Sequence, residues 1–592
     1  MNPKIFFGEL KRRNVYKVAV AYAVVGWLLI QVATQVFPFL EIPNWMIRLV
    51  ILLTASGFPV ALIIAWAFEL TPEGIKRTEA ADAAHQHSRG GVWIAVVLIA
   101  AALSLGLFFL GRYTAGTAPP RLSESATASN PQKSIAVLPL VNTSGDPSNE
   151  YFSDGLSEEL IAVLAKIPEL KVIGRSSSFF FKGKSSDSAA IGQKLGVANL
   201  IEGSVRKQGD RVRIVAELIS AADGRSLWSD TYDRELKDVF AVQAEIAKSV
   251  AEQMKVKLLG ERQQSDAAPS NQNLAAHNAV LQADFYFQQL TAESVQRAIH
   301  SLQEAVRLDP NYALAYAKLS LAWRQYAASF AANENEQAYA EAKAAADKAI
   351  KLAPDQVEPH KAAGWLAINP DLDFAKAEKE FRRGLEISPG DAGAKNSLSY
   401  SLMAQGRFAE AEGPLRDALS VDPLSIANWF NLGRLGVATN RPEEAEQAFQ
   451  KALQIQPGVA RAHAFLAALD AVRNNPSGAL EQAQQEPDGF WRDYALALAK
   501  QFQPDRGVAD ASLKWFAEKF AIGGAYQVAI LHAARKETDQ MFKWLDTAYA
   551  TRDSGLAQLA VEPFFRPYYN DPRFTALCQK LNVQVPSLPV KQ

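Results

Sequence analysis

Ser425–Pro457, SIANWFNLGRLGVATNRPEEAEQAFQKALQIQP, decides the fold of the second half of the chain. Trp429, Leu432 and Gly433 fall on one face of a first helix, and Ala445, Phe449 and Ala452 on one face of a second. Small residues at Gly433, Ala445 and Ala452 let the two helices approach closely, large ones fill the space between turns, and Pro457 stops the second helix. Pro389, Pro423 and Pro457 recur at intervals of 34 residues, so the helix pair is a repeated unit.

The unit before it supplies Leu398, Ser399, Ala411, Leu415, Ala418 and Pro423 at the matching positions. Degenerate copies flank these two. Upstream they are marked by Ala298, Leu302, Ala305 and Pro310, by Tyr316, Leu319, Ala346, Ala349 and Pro354 with an insertion near Asn333, and by His360, Gly364, Ala377, Phe381 and Pro389. Downstream, His463, Leu466 and Ala479 begin a unit that loses register by Pro487, and Tyr526–Tyr549 reads as one more pair. The period and signature resemble the tetratricopeptide repeat. The resemblance implies six to eight helical pairs in a right-handed superhelix whose concave face is made chiefly by the first helices.

In that frame Lys361, Trp365, Asn396, Tyr400, Phe430 and Arg434 point into the groove, a mix of aromatic, amide and basic groups suited to an extended or helical protein segment. The competing expectation packs Trp365 and Phe430 between helices. A Lys-then-Asn clamp for a terminal carboxylate is absent, because Trp365 stands where the amide is required. The scattered His277, His300, His360, His463 and His532 are expected to pack helices rather than bind a ligand.

The whole chain has 592 residues, about four structural units at roughly 150 residues each. Lys and Arg number 62 against 63 Asp and Glu, so no global basic field gathers nucleic acid, and no nucleic-acid partner is expected. Cys578 is the single cysteine, which excludes an internal disulfide framework and Cys-rich metal sites. No cofactor and no metal are expected. A mean hydropathy of −0.08 looks ordinary but averages over a very uneven chain.

Val18–Val36, Leu49–Phe68 and Gly91–Leu110 are uncharged. Each run is about 20 residues, which at about 1.5 Å per residue matches a hydrocarbon core of about 30 Å. Residues 1–113 are therefore expected to form a membrane domain with three transmembrane helices. Lys4, Lys11, Arg12, Arg13 and Lys17 precede the first run, the connector 37–46 has no Lys or Arg, and Lys76, Arg77 and Arg89 follow the second run. The positive-inside rule then makes the N-terminus cytoplasmic and everything after about 112 periplasmic, in a bacterial inner membrane. Arg48 is read as snorkelling, Pro59 as a kink, and His85 and His87 as solvated.

Residues 114–131 are rich in Ala, Ser, Thr and Pro and read as a flexible tether, as does 261–274. Between them lie strands at Lys133–Leu140, Leu170–Gly174, Asn199–Lys207, Val212–Ile219 and Arg225–Arg234, with helices at Asn149–Ile167, Ser188–Leu195 and Val239–Leu258. The order βαβαβββα gives a mixed-sheet α/β domain over 132–260. SIAVLPLVNTSGDPSNEYFSDGLSEELIAVLAKIPELKVIGRSS and ANLIEGSVRKQGDRVRIVAELISAADGRSLWSDTYDRELKDVFAVQAEIA resemble the TolB-like N-terminal domain of bacterial membrane proteins. In that family the domain precedes tetratricopeptide repeats, often in chains named as adenylate or guanylate cyclases or winged-helix regulators. No cyclase or DNA-binding domain is read here. The resemblance implies an extracytoplasmic binding module without a catalytic centre, and Asp553–Leu581 resembles the C-terminal cap of the same family. The repeats are assigned to 275–490, with further helical repeats and the cap over 491–592.

Motifs for chemistry do not survive inspection. Ser157 lacks the second glycine of a nucleophile elbow and sits mid-helix, while Ser204 and Lys207 lie along a strand, where alternation separates them. Asp371 and Asp373 occupy a repeat turn, where exposed Asp is ordinary. The sequence thus reads as a non-enzymatic, membrane-anchored periplasmic scaffold or sensor with protein or peptide partners. The rival is a membrane-bound signalling subunit acting with a separate cyclase, kinase or transcription regulator.

Overall fold

The structure, a computed structural model, describes residues 133–254 and 273–586 apart from 168, 185, 331–334 and 522, together with 22, 26, 52–54, 56–58, 68–71 and 74–77. The chain divides into two compact units, Met1–Ser123 and Glu124–Gln592. In the first, the Tyr22 hydroxyl donates to the Thr54 carbonyl at 2.9 Å, and the Tyr22 ring lies 5.6 Å from that of Phe58. Strands β1 (Phe68–Thr71) and β2 (Gly74–Arg77) form an antiparallel hairpin with Glu69 opposite Lys76. Phe68, expected to end the second span, instead opens β1, where the backbone pairs with β2 rather than continuing as helix. The expected spans at 18–36, 49–68 and 91–110 otherwise lie mostly outside the described residues, as do the tethers 114–131 and 261–274. Among the described residues no helix is long and apolar enough to cross a membrane.

The second unit begins with a six-stranded mixed sheet ordered β5-β3-β6-β7-β8, with β4 paired to β6 off that path. Its strands are β3 (Ser134–Val137), β4 (Val141–Asn142), β5 (Lys171–Val172), β6 (Asn199–Gln208), β7 (Arg211–Ser220) and β8 (Ser226–Glu235). β3 runs parallel to β5 and β6, while β6, β7 and β8 are antiparallel neighbours. Gly209 and Gly224, at φ of 58° and 67°, make the two tight hairpin turns that the sequence predicts. Helices α1 (Glu150–Leu164) and α4 (Val239–Gln253) cover the sheet, sealing a core that includes Ile135, Val137, Leu160, Leu164, Ile214 and Val242. Two elements depart from the expected order. Asn142, read as turn chemistry, belongs to β4, because the ten-residue β6 outruns β3 and the chain continues alongside it. The expected loop after Gly174 opens as helix α2 (Arg175–Phe179), which is held from outside the domain, as described below. Helix α3 (Ser188–Leu195) stands where predicted.

Eight helical pairs follow among the described residues. They are α5 (Leu274–Phe287) with α6 (Ala292–Leu308), α7 (Ala313–Ser329) with α8 (Asn335–Leu352), α9 (Val357–Ile368) with α10 (Phe374–Ile387), and α11 (Ala392–Ala404) with α12 (Phe408–Val421). Next come α13 (Ile426–Ala438) with α14 (Pro442–Ile455), α15 (Ala462–Val472) with α16 (Pro476–Gln485), α17 (Phe490–Lys500) with α18 (Arg506–Lys519), and α19 (Ala525–Ala534) with α20 (Thr538–Ala550). Two short 3₁₀ segments, Ser554–Gln558 and Pro563–Tyr568, and α21 (Pro572–Lys580) complete the cap. A Cβ built on Gly433 would stand 2.3 Å from the Phe449 ring, and one on Gly364 would stand 2.4 Å from Phe381, so glycine is required where each aromatic lies against the first helix. Most turns inside a pair carry a residue at positive φ: Leu290, Leu372, Gly406, Asn440, Asn474 and Lys536. Gly406, Asn440 and Asn474 keep the 34-residue interval, with glycine and asparagine where the left-handed conformation costs least.

Candidate functional site

First helices pack on one another, α7 on α9, α9 on α11 and α11 on α13, so their shared faces form a continuous inner surface. Side chains one and two turns along each helix land in two rows. In the row nearer the helix starts, charge is internally neutralised. The Lys318 ammonium lies 2.6 Å from the Asp284 carboxylate, Lys361 lies 3.3 Å from Asp391 and 3.8 Å from Glu358, and Lys395 lies 3.6 Å from Asp417. These carboxylates raise the Lys361 ammonium well above its usual range against the opposing effect of burial.

The second row is different. The Arg324 guanidinium lies 5.1 Å from the centre of the Trp365 ring, Trp365 lies 5.4 Å from Tyr400, and the Arg434 guanidinium lies 4.9 Å from Tyr400. One repeat further on, Arg461 stacks 5.0 Å from the centre of Trp491. Among the described residues Arg324, Arg434 and Arg461 form no ion pair, whereas arginines elsewhere in the solenoid commonly do, as Arg382, Arg407, Arg416 and Arg441 show. Arg434 is 7% exposed, gives one hydrogen bond of 3.1 Å to Asn431 Oδ1, and leaves its Nε without a partner, as does Arg324. Burial lowers the Arg324 guanidinium below its usual range. Arg461, solvent-accessible yet ringed by protein, is lowered by the same confinement and by the neighbouring Arg434 charge.

The predicted groove residues therefore separate. Trp365, Tyr400 and Arg434 come together in the second row. Lys361 belongs to the neutralised row, and Asn396 accepts from Asn431 Nδ2 at 2.8 Å, which holds it as a spacer between α11 and α13. Phe430 packs against Phe449 and Phe465 at 6.5 and 5.7 Å, in line with the expectation that it fills space between helices. The repeat frame does not mark Arg324, Arg461 or Trp491. Arg324 lies eight residues after Tyr316, one helical turn beyond the positions that the repeat frame marks, and Arg461 precedes its helix in a left-handed conformation at φ of 82°. Four of the histidines bond to neighbouring groups as packing residues: His360 to Glu380 and His532 to Glu537 at 2.7 Å, His463 to Gln482 at 2.8 Å, and His277 to Glu159 at 3.1 Å.

Two parts of the unit close over the inner surface. On one side the α/β domain docks at two places. Helix α1 packs on α5, with Gly155 against Leu281, and burial favours the uncharged form of both Glu159, pushed up to about 7, and His277, pushed down to about 4. Four repeats away, Asp422 accepts from the Ser177 amide at 2.8 Å and from its hydroxyl, while the Leu424 amide donates to Ser177 Oγ at 2.8 Å and the Gly174 amide to the Val421 carbonyl at 2.6 Å. This outside hold is what fixes α2. On the other side the cap returns to the middle of the solenoid: Ser554–Gln558 packs on α11, Arg566 donates to the Val437 carbonyl, and Gln584 lies beside Gly406. The cap also brings Glu562, which burial pushes up to about 7, into the field of Arg434. Ser157, considered above as a nucleophile, is spent on structure: its Oγ donates to the Ser153 carbonyl and accepts from the Leu140 amide.

Residues 396–460 match the family model of the tetratricopeptide repeat, and the chain carries that repeat. A Rhizobium meliloti protein with the provisional name adenylate cyclase 3 is 37% identical over 204 residues, 34% of this chain and 35% of that protein. The chain thus spans about a third of the length of this curated relative. Among solved structures, PilW, described as a widely conserved type IV pilus biogenesis factor, aligns at 19% identity over 36% of this chain and 92% of its own, with a TM-score of 0.30. A tetratricopeptide repeat protein from Parabacteroides merdae aligns at 13% identity over 52% of this chain and 100% of its own, with a TM-score of 0.29.

Proposed function

We propose that the chain is a non-enzymatic scaffold or sensor, anchored in a bacterial inner membrane by three N-terminal spans. In this reading it presents a TolB-like domain and a repeat solenoid to the periplasm and holds a protein segment along the inner face of its first helices. The observation that carries the binding role is the second inner row, where Trp365, Tyr400 and Arg434 stand together and the Arg434 Nε has no partner. A buried donor left unsatisfied costs about 1–3 kcal/mol, a cost that a bound acceptor removes. The anchoring role is supported by three uncharged runs with basic flanks, and by the contact between Tyr22 and Thr54 that joins the first two. A photoreactive residue at Tyr400, crosslinked in cells and analysed by mass spectrometry, should recover one discrete protein segment; recovery of none removes the binding role. Alkaline phosphatase fused after Gln592 should be active, and a stable but inactive fusion overturns the topology.

The match to a relative provisionally named as a cyclase favours a second reading, a signalling subunit that works through a separate cyclase, kinase or transcription regulator. The connector assigned to the cytoplasm is about 22 residues, too short to fold a nucleotide-binding domain of its own. Cyclic nucleotide formed from ATP or GTP by the purified full chain would overturn the non-enzymatic reading.

A further inference from the structure

Charge along the inner face of the first helices is unevenly balanced among the described residues. The inner row nearer the helix starts pairs Lys318, Lys361 and Lys395 with carboxylates of the same chain. Among the described residues Arg324 and Arg434 of the second row, and Arg461 beside them, have no such pairing, although Arg434 is almost fully buried. The charges of Arg434 and Arg461 repel each other, which is unfavourable in the empty chain, and Glu486, whose carboxylate accepts from the Arg461 amide, offsets this only in part. Each guanidinium lies against an aromatic ring, Trp365, Tyr400 or Trp491, and the Nε of Arg324 and of Arg434 has no hydrogen-bond partner among the described residues. A planar guanidinium edge matches a carboxylate through two parallel hydrogen bonds.

Resting on the peptide-holding role proposed above, we infer that the segment bound on this row is acidic, an extended peptide whose carboxylates meet Arg324, Arg434 and Arg461 and whose apolar side chains lie on Trp365 and Tyr400. The spacing suits a short motif. Arg324 and Arg434 are linked through the two rings by contacts of 5.1, 5.4 and 4.9 Å. At about 3.3 Å per residue, at most about five residues of extended chain separate two acidic groups that reach both arginines. The covers favour a slender occupant over a folded domain, since the α/β domain holds the solenoid at Asp422 and the cap crosses at Val437. Glu562 is the chain's own acidic neighbour of Arg434, but among the described residues it forms no ion pair with it, and burial pushes its carboxyl up to about 7, so near neutral pH it supplies only part of a charge.

The test uses the full chain and three fluorescein-labelled nonapeptides, which alternate phenylalanine with glutamate, with glutamine or with lysine, read by fluorescence anisotropy. The glutamate peptide should bind at least tenfold more tightly than the glutamine peptide, and the advantage should shrink with added salt. The double variant Arg434→Gln with Arg461→Gln should erase the difference between the two peptides. Because Arg434 is buried, Arg461→Gln alone is the second arm. Its side chain is accessible, so the fold is preserved, and the preference for glutamate should fall at least threefold. Equal binding of glutamate and glutamine peptides, a preference for lysine, or an unchanged preference in Arg461→Gln overturns the acidic class while leaving peptide binding in place. Binding of none of the three overturns both the inference and the role on which it rests.

Discussion

Replacing Gly433 with alanine sets two physical effects of opposite sign against each other. In an isolated helix the change is favourable by about 1 kcal/mol, because glycine is the poorest ordinary helix former. In this structure the new Cβ would stand 2.3, 2.6 and 2.7 Å from three atoms of the Phe449 ring, all well inside contact distance. The ring is not free to retreat: Phe449 is 1% exposed and stacks on Phe465 at 5.1 Å. Overpacking costs typically about 1–3 kcal/mol, and with all three contacts under 3 Å the upper part of that range, about 2–3 kcal/mol, applies, so the net effect is a local destabilisation of about 1–2 kcal/mol. The assay is native-state amide exchange over 426–455, which reads local stability without assuming that the solenoid unfolds in one step. About 1.4 kcal/mol corresponds to tenfold faster exchange. Phe449→Leu in the alanine background should recover part of this, giving a favourable coupling of about 1 kcal/mol in a double-mutant cycle. Unchanged or slower exchange in Gly433→Ala, or strict additivity with Phe449→Leu, would refute the claim that ring-to-backbone contact fixes the spacing of the pair.

Asp422→Ala should loosen the docking of the α/β domain. It removes the acceptor of two hydrogen bonds from the fully buried Ser177, each worth about 1.5–3 kcal/mol to a charged group, offset in part by the burial that raises the carboxyl above its usual range. A net loss of about 2 kcal/mol is expected, seen as faster exchange at 175–178 and 422–424 while the sheet interior is unchanged; full protection there would sink the assignment. Glu562→Gln should act only at higher pH. Burial holds the folded carboxyl up to about 7, so the folded chain keeps a proton that the unfolded chain releases at about 4.5, and stability from this group is full below about 4.5 and falls as pH rises toward 7. The glutamine variant should therefore melt with the parent at pH 4.5 and above it at pH 8, by up to about 3 kcal/mol before solvent screening. Parallel melting curves across that range would show that Glu562 is not buried by the cap.

Much of the architecture is legible because its causes are local. Alternation and tight-turn residues such as Gly209 and Gly224 mark the strands, and the 34-residue interval of Pro389, Pro423 and Pro457 marks the pairs, since each helix needs one apolar face and each turn a breaker. A further local signal at the same interval, Gly406, Asn440 and Asn474 in the left-handed turns, lay open to the same kind of counting. The inner row is only half legible. Trp365, Tyr400 and Arg434 follow from the repeat frame, whereas Arg324 and Arg461 lie on a turn beyond the frame and before a helix, and join the row only through superhelical twist.

The repeat, the mixed sheet and the uncharged N-terminal runs can be read from the chain alone, because period, alternation and hydropathy are properties of neighbouring residues. Which charges are neutralised and which are left over depends on how the repeats stack. Lys361 and Arg434 look alike as basic groups facing one groove, yet Asp391 from the next repeat pairs with the first, and among the described residues no carboxylate forms an ion pair with the second. The docking of Ser177 on Asp422 was equally beyond sequence reading, because it joins residues 245 positions apart through a fit of two surfaces that neither segment encodes alone.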